Sequence, residues 1–170
     1  MKRVSLYIAV TCSFIAITAF PATADLGSPR EPPSLLNTIS LWLSDNFDLP
    51  PSEMNPHLAT LPGAELVRMR YGPDSGIPPG QVVAAYDADT STIYLSEHWT
   101  GATPEELSAL VHEMVHHMQA SADQIFACPN EREQLAYRAQ DAWLSVSGET
   151  LESAFYIDPA AMLFGTVCTY

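Results

Sequence analysis

The sequence predicts an α+β fold: a small antiparallel sheet packed on one central helix, with further helices before and after it in the chain. Three stretches carry that expectation. Residues 103–118 place Leu107, Leu110, Val111, Met114, Val115 and Met118 at three- and four-residue spacing, the apolar stripe of a core-facing helix. Residues 81–86 and 92–95 are β-rich runs joined by the five residues Asp87-Ala88-Asp89-Thr90-Ser91, a hairpin pattern. Residues 130–148 repeat the helical period with Leu135, Ala136, Trp143 and Leu144, opening on Asn130 and stopping at Gly148.

The elements follow in order along 170 residues. Lys2 and Arg3, an apolar run over 4–20 and the small-residue stretch Ala22-Thr23-Ala24 have the form of a secretory leader cleaved after Ala24. Export to the periplasm or the outside is therefore expected, with no membrane span left after cleavage. Residues 25–33 are Pro-rich and read as an extended arm. One domain over 34–170 remains, a length that suits a single core and a monomer. Ser34 can cap a helix through residue 46, with Leu36, Ile39, Leu43 and Phe47 on one side. Residues 64–70 read as a strand of imperfect alternation, and 71–80 as turn and loop. Short helices are expected over 149–156 and 159–164.

Charge removes several functions. Without residues 1–24 the chain keeps five arginines, no lysine and twenty acidic residues, a net charge of −15. A basic face for nucleic acid or anionic lipid is excluded on that composition. Two cysteines remain, Cys128 and Cys168, and an even pair in an oxidising compartment implies a structural disulfide.

The chemistry concentrates in His112-Glu113-Met114-Val115-His116. Four residues are just over one helical turn, so the two imidazoles project from one face and can share a metal ion, while Glu113, one step on, points elsewhere and can take a proton from water. This H-E-x-x-H pattern is that of zinc hydrolases, and Zn2+ is the cofactor it implies. Thr103 as N-cap, Pro104 at the first helical position and Glu106 in a capping box start the helix where the motif needs it. The histidine pair falls opposite the apolar stripe, beside Ala109 and Ala120, where small side chains leave room for a cleft. His117 reads as a surface or backing residue, and His57 as a loop histidine.

A catalytic zinc needs a third protein ligand. Gln119 and Ala122 stand where the extended H-E-x-x-H-x-x-G-x-x-H pattern needs Gly and His, and no histidine follows His117, so the ligand must be a downstream carboxylate. Glu131 and Glu133 point in different directions on a helix. Glu133 shares a face with Ala136, Tyr137 and Gln140, a face small enough at its centre for another helix, and is the preferred choice; Glu131 stays open.

Residues 112–116 followed by Glu133-Gln134-Leu135-Ala136-Tyr137 resemble the gluzincin zinc metallopeptidases, most of all their small single-domain forms called minigluzincins. The hairpin running into the motif helix is similar to their sheet and active-site helix. The resemblance spans residues 81–144 and implies cleavage of a peptide or protein substrate, with Glu113 as general base, zinc on His112, His116 and Glu133, and glutamate as third ligand. Tyr137 stands where the family often carries an acidic residue that orients a ligand. No oxyanion-steadying residue is evident beyond the candidates Tyr137, Tyr156 and His98. Two alternatives accompany this reading: a non-catalytic envelope zinc protein, and a hydrolase of non-peptide amides such as those of cell walls.

Overall fold

The computed structural model describes residues 34–158, 160, 162 and 165–168. The expected leader and Pro-rich arm lie outside the described residues, as does much of the expected helix at 159–164. The fold is α+β: α1 (Leu35–Phe47), β1 (His57–Leu61), α2 (Gly63–Tyr71), β2 (Ala84–Asp87), β3 (Thr92–Ser96), α3 (Pro104–Ser121), α4 (Glu133–Ser145) and α5 (Leu151–Phe155).

The three strands form one sheet in the order β1-β3-β2. The β2–β3 hairpin is antiparallel, pairing Ala84 with Leu95 and Asp87 with Thr92. β1 joins β3 in parallel, with His57 opposite Thr92. The sheet is therefore mixed, where an antiparallel one was expected, because His57, read as a loop residue, begins a strand. Three prolines ahead of it and only five residues of run concealed β1 from a periodicity argument.

Residues 64–70 are a helix, correcting the strand reading. Helix formers fill the stretch, Glu65 lies in its first turn and Arg68 and Arg70 in its last, each on the side the helix dipole favours, and Gly72 ends it at φ 87°. Leu66 and Val67 are both buried although adjacent, which a strand with one covered face does not permit.

The sheet has helices on both faces. Ala84, Ile93 and Leu95 enter the main core with α1, α3 and α4, while Ala85 and Tyr94 turn the other way onto Leu66 and Val67 of α2, as the period of two requires. α3 lies at the centre: from Ser108 to Gln119 every residue except Glu113 is buried. The stripe of apolar residues meets α1 and the sheet, and the opposite side, expected to open directly onto a cleft, is covered by α4. Ala136 and Ala139, both without exposed surface, are the α4 residues that allow this approach.

Local chemistry sets the helix ends. Thr103 accepts from the Glu106 N–H at 3.3 Å, and the Glu106 carboxylate accepts from the Thr100 hydroxyl at 2.7 Å and the Ala102 N–H at 3.1 Å. Trp99, whose indole N–H donates to the Glu106 carbonyl at 3.0 Å, leaves no room for a side chain at Gly101: a Cβ there would lie 2.6 Å from the ring, at φ +69°. α4 begins at Glu133, three residues after the expected cap Asn130, whose carbonyl instead accepts from the Glu133 N–H. At the other end Gly148 (φ 80°) donates to Ser145 and Glu149 to Leu144, the paired bonds of a left-handed C-terminal cap. Cys128 and Cys168 are bonded, with Cα atoms 5.8 Å apart, and tie the last residues to the loop that leads into α4. Gln134 adds a bond from its amide to the Thr166 carbonyl at 3.0 Å.

Candidate metal centre

Packing α4 against α3 brings Glu133 over the histidine pair. Its Oε2 lies 3.1 Å from His112 Nε2 and 3.3 Å from His116 Nε2, and the two Nε2 atoms are 3.2 Å apart. These three atoms form a nearly equilateral triangle. An ion with bonds of about 2.0–2.1 Å to tetrahedral donors spaces those donors by about 3.3 Å, so the triangle has the dimensions of one face of such a site. Among the described residues these are the histidines, cysteines and acids grouped closely enough to hold a metal. Glu131, the open alternative, is elsewhere: its carboxylate caps the Ala127 N–H.

Both imidazoles are held in the tautomer a metal requires. His116 Nδ1 contacts Gln119 Oε1 at 3.1 Å, while the Gln119 amide nitrogen donates to the Arg132 carbonyl at 3.1 Å. A carbonyl only accepts, so the amide orientation is fixed and His116 must carry its proton on Nδ1. His112 Nδ1 contacts Gln140 Oε1 at 3.0 Å; the Gln140 amide donates to Ser108 Oγ at 3.4 Å, and Ser108 donates to the Glu105 carbonyl at 2.8 Å. Two relays, each ending on a backbone carbonyl, therefore leave both Nε2 lone pairs facing the Glu133 carboxylate. Three electron-pair donors so close repel unless a cation lies between them, and that is the fit of this donor set to a metal. Gln119 and Gln140 take the orienting role for which no residue was identified from sequence. Gln140 had a partial signal, seven residues from Glu133 on the same face.

Two arginines hold the other carboxylate oxygen. Arg70 Nη2 is 3.0 Å from Glu133 Oε1 and Arg132 Nε is 3.4 Å from the same atom. Burial alone would raise the Glu133 carboxyl, but with both imidazoles presenting lone pairs it is the positive charge of Arg70, on its other oxygen, that acts against burial and favours the ionised form, and the carboxyl lies well below the usual carboxylate range. It remains a carboxylate. Arg70 had no sequence signal, since the strand reading of its segment placed it away from the motif.

Glu113 is half-buried and makes no hydrogen bond or ion pair among the described residues. Its side chain lines two adjoining cavities, of about 800 Å3 and about 110 Å3, which share Arg70 as well. β2 borders both: Ala84 the smaller, Ala85 to Asp87 the larger. Tyr137 lines the smaller lobe and stands edge-on to His112, ring centroids 4.8 Å apart. Burial, then the charge of Glu133, pushes its phenol above the ordinary value, so it stays a neutral donor. Tyr156 and His98 are exposed and line neither cavity.

His117, expected at the surface or as backing, is buried on the far side of α3 from the triad. Its Nε2–H donates to the Met54 carbonyl at 2.9 Å, which leaves Nδ1 to accept from the Tyr86 hydroxyl at 3.3 Å. It thus joins the loop after α1 to the strand that borders the cleft.

Among the described residues no helix is long and apolar enough to cross a membrane. No curated protein and no solved structure gives a significant match to the chain. Residues 28–169 match the family described as a domain of unknown function, DUF6647, and the chain belongs to that family.

Proposed function

We propose that this protein is an exported zinc-dependent hydrolase that cleaves peptide bonds. The observation that carries the reading is the triangle of His112 Nε2, His116 Nε2 and Glu133 Oε2 with both Nδ1 protons locked outward. Three protein ligands leave an open position, and zinc bound there would activate a water and polarise the carbonyl of an amide. Glu113, unpaired beside the triad and open to the cleft, accepts the proton that the attacking water gives up and returns it to the departing amine nitrogen, so the proton count balances over one turnover. Tyr137 adds a neutral donor to the same lobe.

A polypeptide suits the cleft better than a compact amide. β2 is one of the two edge strands of the sheet, and because Ser96 donates to the Val83 carbonyl, the alternation of antiparallel pairing directs the N–H and C=O of Ala84 and Tyr86 away from β3. An extended chain can pair with them along the cleft wall. The Cys128–Cys168 bond agrees with an oxidising compartment and hence with the leader pattern. A purely structural zinc site has no use for Glu113 at an open position, which favours catalysis over the envelope-protein alternative.

The test is metal analysis of the purified protein together with a peptide and cell-wall substrate screen, on wild type and Glu113→Gln. Expected are one zinc per chain in both and hydrolysis in the wild type alone. Turnover retained by Glu113→Gln would remove Glu113 from the mechanism, and a wild type that takes up no zinc would remove the metal reading.

A further inference from the structure

We infer that the cleft recognises a carboxylate carried by the substrate next to the amide it presents to the triad, and that Arg132, assisted by Arg70, is the group that selects it. The inference rests on the hydrolase reading and names the substrate class: peptides with a free carboxylate adjacent to the cleaved bond.

Charge placement leads to this. Outside the leader the chain has five arginines against twenty acids, yet two of the five guanidiniums converge on a single oxygen, Glu133 Oε1. One would neutralise and orient that carboxylate, and Arg70 does so with the shorter contact, at 3.0 Å and with its side chain 31% exposed. Arg132 touches Oε1 only through Nε, at 3.4 Å, and its side chain is 43% exposed. Its terminal nitrogens therefore have no partner among the described residues, and the side chain lines the larger cavity together with Glu113 and His116. A guanidinium offers five donors in a planar fork, and a carboxylate fits two of them side by side.

With Glu133 paired to Arg70, Arg132 is an excess positive charge at the edge of the triad. A bound divalent ion adds to that excess, and Glu113 offsets only one unit. The cleft also has Asp87 and Asp89 in its wall, but these stand at the end of β2 and in the hairpin turn, whereas both arginines are at the Glu133 end. An anionic group on the substrate is thus drawn to the triad end of the cavity. A carboxylate at a peptide's C-terminus and one on an Asp side chain share this chemistry.

Three probes separate the sources: N-acetyl-phenylalanyl-alanine as the free acid, the same dipeptide as its C-terminal amide, and N-acetyl-phenylalanyl-aspartic acid α-amide, whose only carboxylate is on the side chain. Binding is measured by calorimetry to the Glu113→Gln protein, with and without zinc, so that no hydrolysis intervenes. At least one acid probe is expected to bind roughly tenfold or more tightly than the neutral amide, the size of effect that a charge-assisted pair supplies. The preferred probe identifies the source. Adding Arg132→Gln should abolish the preference, Arg132→Lys should restore part of it, and Arg138→Gln, which removes an exposed α4 arginine away from both cavities, should leave it intact. Zinc affinity, followed in parallel, should fall less in Arg132→Gln than in Arg70→Gln, because Arg70 makes the shorter contact with Glu133. Equal or undetectable binding of all three probes, or a preference that survives Arg132→Gln, overturns the inference. Because the arginines exist without metal, failure of zinc uptake with the acid preference intact would strike only the hydrolase reading.

Discussion

Gln119 is the position where substitution should separate metal affinity from folding most clearly. Gln119→Leu keeps the volume and helix propensity of a buried α3 residue while removing both amide functions. Two bonds are lost: the acceptor for His116 Nδ1–H at 3.1 Å and the donor to the Arg132 carbonyl at 3.1 Å. Each is worth about 1 kcal/mol, and leaving a buried partner unpaired raises the cost, so a loss of about 1–3 kcal/mol in stability is expected. The effect on the metal should be larger in proportion. Without Gln119 the His116 ring can rotate or carry its proton on Nε2, and loss of such a partner weakens metal binding by about 10–100-fold. Competition against a chromophoric chelator reads the zinc affinity, and chemical denaturation of the metal-free protein reads stability. Wild-type zinc affinity in Gln119→Leu would show that the relay does not orient His116, and with it the argument for the matching relay through Gln140 and Ser108 would fall.

Glu133→Ala should lose stoichiometric zinc, whereas Glu131→Ala should keep it; the reverse result by metal analysis would move the third ligand to the loop. Removing the Cys128–Cys168 bond, by reduction or by Cys→Ser at both positions, should cost roughly 3–4 kcal/mol in a denaturation experiment, given a sequence separation of 40. It should also weaken zinc binding, because the loop it anchors supplies the Arg132 carbonyl and leads into Glu133. The hydrogen bonds that Glu106 accepts from Thr100 hold its carboxyl below the ordinary value of 4.5. A lowered folded value stabilises above the unfolded value and loses that contribution as pH falls, so the stability advantage of wild type over Glu106→Gln should be full near neutrality and shrink between about pH 5 and pH 3. An advantage independent of pH over that window would mean that the charge of Glu106 does not matter to the cap.

The motif helix was legible because its start, stripe and histidine spacing all follow from one period, and Thr103, Pro104 and Glu106 act at its N-terminus as that period requires. The hairpin was legible for the same reason. Residues 64–70 were not, because Leu66, Val67 and Met69 fit neither period well, and the choice falls to propensity and dipole, which are weak over nine residues. Preference for Glu133 over Glu131 came from the small face of α4, and the structure puts Ala136 and Ala139 at that contact. What supports the triad was beyond reach. An amide such as Gln119 has no role until a carbonyl thirteen residues away and an imidazole three residues back fix its orientation. Arg70 meets Glu133 only after the β2–β3 hairpin and α3 have been folded between them.

Ala136 has no titratable group, no hydrogen-bonding side chain and no exposed surface, yet the distance between α3 and α4 depends on it. The triangle of ligand atoms tolerates little: an ion that binds well at 3.1–3.3 Å between donors binds poorly when one donor retreats by an ångström. A longer side chain at residue 136 would act as a wedge, moving Glu133 away from both imidazoles at once while leaving every ligand in place by identity. The most consequential lesion for this site can therefore fall on a methyl group, and a survey confined to residues that carry chemistry would pass over it.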